Sequence, residues 1–141
     1  MAEDASKSMR RDVIVPSIWA DFYDATSIPA AVRTGDTLRL TGHTGEDADG
    51  SYPAGAEDQI RGTFRNIAVT LAAAGAGWSN VVEINSYHVG YRQQAEAVMA
   101  VAAEFLEPPY PAWTAVGITE LFLPEALVEI NCVAIVPAPS Q

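Results

Sequence analysis

One carboxylate in this chain sits where carboxylates seldom do. Glu129 lies inside Val128-Glu129-Ile130-Asn131-Cys132, a run in which alternation puts Glu129 and Asn131 on one face. Val128, Ile130, Cys132, Ala134 and Val136 take the other face. A carboxylate among apolar neighbours is costly to bury without partners. Either that face meets water, or Glu129 lines a site whose burial raises its pKa and suits it to act as a base or to orient a water. Earlier, Leu40-Thr41-Gly42-His43 ends an apolar run with a hydroxyl, a closely approachable backbone and an imidazole able to change charge near neutral pH. In Trp113-Thr114-Ala115-Val116-Gly117, alternation sets Trp113, Ala115 and Gly117 on one face, where the small residues leave a recess beside a large ring. The candidate site therefore comprises Glu129, Thr41 and His43 as the chemical groups, with Trp113, Gly42, Ala115 and Gly117 against a ligand.

Other chemistries lack their residues. No Gly-x-Gly-x-x-Gly or Walker pattern occurs, and Gly42, Gly45, Gly75 and Gly77 read as turns. His43 and His88 are separated by a helix and do not have metal-ligand spacing, so no metal and no cofactor are expected. No nucleophile-elbow pattern is present. His88 alternates with Val82, Ile84 and Ser86 and reads as a packed, neutral histidine. Glu120 is most simply a solvated loop acid, kept as a candidate at the same cleft.

The elements that must carry these residues follow from pattern. Strands are expected at 31–34 and 37–41, turning at Gly35-Asp36. Ile60, Phe64, Ile67 and Leu71 recur at helical spacing over 56–74, with Glu57 and Asp58 in the first turn and Gly75 after the last. A β-branched and aromatic run at 81–89 reads as a strand. A second helix is expected over 93–106, stopped by Pro108-Pro109. Two final strands, 111–118 and 127–136, close the series. Each helix has one apolar stripe, so both should pack on one face of a single mixed sheet. The other face should then carry Glu83, Asn85, Trp113 and Glu129. No third helix is expected to cover it, which makes self-association the economical solution.

Bulk properties narrow the class. A chain of 141 residues, 49% of them hydrophobic, is one domain with an ordinary core. Residues 1–11 mix charges without an apolar stretch and are expected to form a flexible tail; 12–136 form the domain, and 137–141 a Pro-rich tail. The lone Cys132 excludes an intrachain disulfide and fits a cytoplasmic setting. Eight basic residues are scattered among eighteen acidic ones, for a formal net charge of −10. That balance disfavours nucleic acid, whose phosphates select clustered Lys and Arg, and disfavours anionic membrane surfaces.

Several segments, taken in order, resemble the reactive intermediate deaminase (Rid, or YjgF) family over roughly 27–136. They are Gly35-Asp36-x-Leu38-x-Leu40-Thr41-Gly42, Gln59-x-Arg61-x-x-x-x-Asn66-Ile67, Leu71-x-Ala73-Ala74-Gly75, Phe105 with Pro109-x-Pro111-Ala112, and Val128-Glu129-Ile130. The resemblance implies an α+β fold (chorismate mutase-like), a single mixed β-sheet with two α-helices packed on one face. It further implies a homotrimer with a central barrel and ligand clefts between subunits. Well-studied members hydrolyse reactive imines and enamines such as 2-aminoacrylate, gripping the substrate carboxylate with an Arg after Pro-Ala. Here Trp113 stands at that position and Ala115 at the family's Cys. The family's early Tyr falls at Ile28 and its helical Asn near Met99, while Glu129, which in the family helps orient the water, is retained. Replacing Arg by Trp removes about 1.5–3 kcal/mol of charged hydrogen bonding. Arg61, Arg65 or Arg92 would have to substitute. The resemblance thus implies a divergent member acting on a small, partly apolar imine or enamine. The alternatives are a non-catalytic small-molecule-binding trimer and an interaction protein that has lost the site.

Overall fold

A computed structural model describes residues 10–137. Most of the two expected tails, 1–9 and 138–141, lies outside the described residues. Six strands form one sheet in the order β1-β2-β3-β6-β4-β5: β1 Asp12–Ile14, β2 Ala31–Thr34, β3 Thr37–Leu40, β4 Val81–Val89, β5 Ala112–Ile118 and β6 Val128–Ile135. Only β4 and β5 run parallel, and the crossover between them contains the helix α3, Tyr91–Phe105. A second long helix, α2, spans Ala56–Ala73 between β3 and β4. This is the α+β single mixed sheet expected from the pattern, with β1 added at one edge.

Both long helices pack on one face. Ile60, Phe64, Ile67 and Leu71 of α2 and Val98, Val101 and Ala102 of α3 close over Leu38, Ile84, Val128, Ile130 and Ala134 of the sheet. Fully burying each of the larger side chains is worth roughly 1.5–3 kcal/mol, so this layer holds the fold. Gly75, at φ +73°, ends α2 in the left-handed turn that glycine adopts without a Cβ penalty.

Two elements were not expected: β1 and a short third helix, α1, Ala20–Thr26, entered through a 3-10 turn at Ser17–Trp19. A three-residue strand shows no alternation to read, and α1 buries none of its residues, so it carries no core stripe. The structure also corrects the expectation that Trp113 shares a face with Glu129. Register pairs Ile84 with Trp113, Ser86 with Ala115 and His88 with Gly117, all towards the helices. The uncovered face instead carries Thr114 and Val116 in rows with Asn85 and Tyr87 of β4 and Asn131 and Glu129 of β6. Alternation gives each strand its two faces, but only register says which faces coincide.

Candidate functional site

A cleft of about 900 Å³ opens beyond the end of β3. One wall is apolar, built from Val15, Ile18, Trp19 and Phe22 of the N-terminal segment and from Ile28 and Pro29. Leu121, Phe122, Leu123 and Ala126 of the β5–β6 connection face the same space, and the Phe122 ring is 98% exposed. Thr41, Gly42, His43 and Glu129 line it from the sheet, while Thr44, Glu46, Asp47, Asp49 and Tyr52 close the remaining side.

A local irregularity sets the sheet residues. Arg39 pairs with Val133, but the pairing resumes one residue out of step, with His43 opposite Ile130 through bonds of 2.8 and 2.9 Å. The extra residue, a bulge-like kink, lays the Gly42 backbone against Glu129. A Cβ at position 42 would lie 2.7 Å from Glu129 Cδ. Glycine leaves that space to the acid, which would have to move aside for any Cβ at this position.

Glu129 is half-buried, and its carboxylate has no hydrogen bond or ion pair to any described residue. Burial therefore raises its pKa with nothing to offset it. The other carboxylates of the cleft differ. Asp49 accepts from the Ser51 backbone N–H at 2.9 Å and hydroxyl at 2.6 Å, which hold its pKa down. Glu46 accepts the Thr44 hydroxyl proton at 2.5 Å, so Thr44 must accept in turn from the Tyr52 hydroxyl at 2.8 Å. Burial raises the Tyr52 pKa, which keeps that proton in place. Asn66 of α2 anchors this loop by donating to the Thr44 and Glu46 carbonyls at 2.9 and 3.1 Å.

His43 is buried, and both ring nitrogens are engaged. Nδ1 donates to the Thr41 carbonyl at 2.6 Å, which leaves Nε2 to accept from the Thr70 hydroxyl at 2.8 Å. The Trp19 and His43 rings are perpendicular, with centroids 5.4 Å apart. Burial lowers the pKa despite the Thr41 carbonyl, so the imidazole is neutral at neutral pH. Thr41 donates its hydroxyl to the Pro29 carbonyl at 2.6 Å, tying the apolar wall to the sheet.

Across the sheet lies a second polar chain. The Trp113 indole donates to Ser86 Oγ at 2.8 Å, and Ser86 lies 2.8 Å from His88 Nε2. Gln94 donates to the Val89 and Leu127 carbonyls, which turns its own carbonyl oxygen to His88 Nδ1 at 2.9 Å. Nδ1 must then carry the proton, and Ser86 donates to Nε2. Together with the burial that lowers its pKa, this makes His88 the packed, neutral histidine its alternation suggests. Gln59 of α2 likewise binds the Glu125 carbonyl and the Leu127 N–H, at 2.8 and 2.9 Å, so two buried glutamines fix the chain leading into Glu129.

Of the residues singled out from sequence, the cleft brings together Glu129, Thr41, Gly42, His43 and Ile28. It does not include Trp113, Ala115 or Gly117, which face α2 and α3, or Met99, which is 71% exposed on α3. Glu120 lines an adjoining hollow of about 250 Å³ with Val89 and Thr119, which shares Leu121, Phe122, Leu123 and Ala126 with the cleft. Arg61 is held by Glu104 at 2.8 Å and flanked by Glu57 and Asp58; neither it nor Arg65 nor Arg92 lines the cleft. Sequence reasoning missed the wall formed by Ile18, Trp19 and Phe22. The signal was there, as three large apolar residues within five positions of a polar segment.

A single mixed α+β sheet backed by two long helices, with a cleft where β3 breaks step against β6, defines a fold class with known relatives. The family model described as endoribonuclease L-PSP matches residues 21–136. The RutC family protein YjgH of Escherichia coli (strain K12) is 37% identical over 114 residues, 80% of this chain and 87% of that protein. A 2-iminobutanoate/2-iminopropanoate deaminase of Dermatophagoides farinae is 30% identical over 108 residues, 75% of this chain and 83% of that protein. The crystal structure of a YjgF/YER057c/UK114 family member from Mycobacterium tuberculosis superposes with a TM-score of 0.77 at 28% identity, covering 90% of this chain and all of that one. The chain belongs to the endoribonuclease L-PSP family, the Rid/YjgF family that its sequence resembles.

Proposed function

We propose that the chain hydrolyses an imine or enamine of a small, partly apolar metabolite, with Glu129 as the group that orients and deprotonates water. The observation that carries this reading is a half-buried carboxylate without a partner, held against a glycine in a large cleft. Water adds to the carbon of a protonated C=N bond while one of its protons passes to Glu129. That proton then returns to nitrogen, and as the C–N bond breaks the hydroxyl proton passes to the freed Glu129 carboxylate and on to the departing amine, giving the carbonyl compound and an ammonium product. A base so placed is worth typically 10²–10⁴-fold. Thr41 and His43 have their polar atoms engaged within the protein, and their role is to hold the cleft rather than to move protons. The deaminase name of the Dermatophagoides relative supports the reaction class. The endoribonuclease description of the family model suggests RNA, but a net charge of −10 and a cleft with four carboxylates oppose it.

The uncovered sheet face and the family resemblance support a homotrimer with clefts between subunits. In that assembly the β5 edge of a neighbouring subunit would bring its Trp113, Ala115 and Gly117, which the single chain keeps apart from Glu129. A Trp in place of the carboxylate-gripping Arg argues against efficient turnover of 2-aminoacrylate. The test generates an imine in situ with a flavin amine oxidase acting on 2-phenylethylamine and measures hydrolysis against trapping by semicarbazide. Wild type should accelerate hydrolysis, and Glu129→Gln should lose at least 100-fold with an unchanged circular dichroism spectrum and elution volume. Equal rates for the two proteins would overturn the proposal. Probe binding without turnover would favour the non-catalytic binding trimer.

A further inference from the structure

The charge of the cleft selects the kind of molecule it holds. Glu46, Asp47, Asp49 and Glu129 line it, and among the described residues no Lys or Arg does. The imidazole present, His43, spends Nδ1 on a carbonyl and Nε2 on a hydroxyl, so it offers an incoming anion no free N–H. β5, the strand that ends the sheet, adds no charged residue over Ala112–Ile118. Of the four carboxylates, Glu46 and Asp49 already accept from hydroxyl groups of their own loop, and Asp47 is exposed to water. The Glu129 carboxylate accepts from nothing among the described residues and stands half-desolvated, so a cation placed beside it gains the most. The same cleft is lined by Ile18, Trp19, Phe22 and Ile28, two of them aromatic side chains of the kind that binds cations. A volume of about 900 Å³ is near the upper end for small-molecule sites and far exceeds the needs of a three- or four-carbon imino acid.

We infer that the cleft takes an amine or iminium with an apolar body of at least aromatic size and no carboxylate, its cationic nitrogen paired with Glu129. The inference rests on the reading of this cleft as the functional site, and it names the substrate class of that site. An anionic imino acid would meet four like charges and no counter-charge. An aromatic amine would meet an apolar wall and an acid that lacks a donor.

Three probes with one body separate the possibilities: 2-phenylethylamine, 2-phenylethanol and 3-phenylpropanoate, titrated into the full-length protein by calorimetry at pH 7. The amine should bind at least tenfold tighter than the alcohol, and the carboxylate should bind more weakly than both. Glu129→Gln should abolish the amine's advantage and leave the alcohol's affinity unchanged, while Phe22→Ala should weaken amine and alcohol alike. Carboxylate binding as tight as the amine's would overturn the charge assignment while leaving the cleft as a site. Equal affinity of amine and alcohol for the wild type would overturn the pairing with Glu129. No heat and no thermal shift from any of the three would remove the cleft reading and this inference with it. Failure of imine hydrolysis alone would touch neither result, because these titrations read binding.

Discussion

Adding one methyl group at Gly42 should move Glu129 without touching it chemically. The Cβ of an alanine there would lie 2.7 Å from Glu129 Cδ, 2.8 Å from Oε1 and 2.9 Å from Cγ, where ordinary contacts run 3.4–4 Å. The carboxyl group must retreat by about 1 Å, and because Cγ is also hit the retreat needs a change of rotamer. Its neighbour is a side chain rather than backbone, so the cost is about 0.5–1.5 kcal/mol, or roughly 2–6 °C in Tm for a domain of this size. A base displaced by about 1 Å loses on the order of 10²-fold in rate. Gly42→Ala should therefore remain folded and lose about 100-fold in kcat/KM for imine hydrolysis. Gly77→Ala, with no atom within 4 Å of its Cβ, is the control and should keep full activity. Hydrolysis is followed by competition with semicarbazide, and stability by thermal denaturation. Full activity in Gly42→Ala would refute the claim that the position of the Glu129 carboxyl sets the chemistry.

Other outcomes follow from the same geometry. Gly45→Ala would set a Cβ on the backbone carbonyl of Gln59, which cannot turn aside, so it should cost about 1–3 kcal/mol or more and lower the denaturation midpoint accordingly. Burial raises the Glu129 pKa in the fold, so its favourable contribution is complete below the ordinary glutamate range and is lost as pH rises through the raised value. Glu129→Gln should accordingly be more stable than wild type at pH 7, with the difference fading below about pH 4; a variant less stable at pH 7 would contradict an unpartnered carboxylate. Ser86→Ala strands the Trp113 indole N–H and His88 Nε2, at a cost of about 1–3 kcal/mol read as a fall in Tm. An unchanged Tm would mean that this chain of bonds carries no stability.

Most of the architecture was legible because it follows from periodicity. The stripe Ile60, Phe64, Ile67 and Leu71 lies wholly in the core, as its spacing requires. Glu129 stood out because alternation places it opposite Ile130 and Cys132, which are buried. Trp113 was placed on the wrong face because a single strand's alternation carries no information about its neighbour's phase, and that phase is set by pairing with Ile84. The apolar wall of the cleft, visible only as three apolar residues in a polar segment, was overlooked for a different reason. Ile18 and Phe22 are more than half exposed, so they belong to no core and leave no core periodicity. Contacts such as Gly42 against Glu129 join positions far apart in the chain through a break in register, which no local pattern encodes.

The most direct measurement is a crystal structure of the full-length protein with 2-phenylethylamine bound. The ammonium nitrogen should lie within hydrogen-bond distance of the Glu129 carboxylate, with the ring against Trp19 and Phe22. An amine seated elsewhere, beyond the reach of Glu129, would contradict the assignment of both the site and its acid.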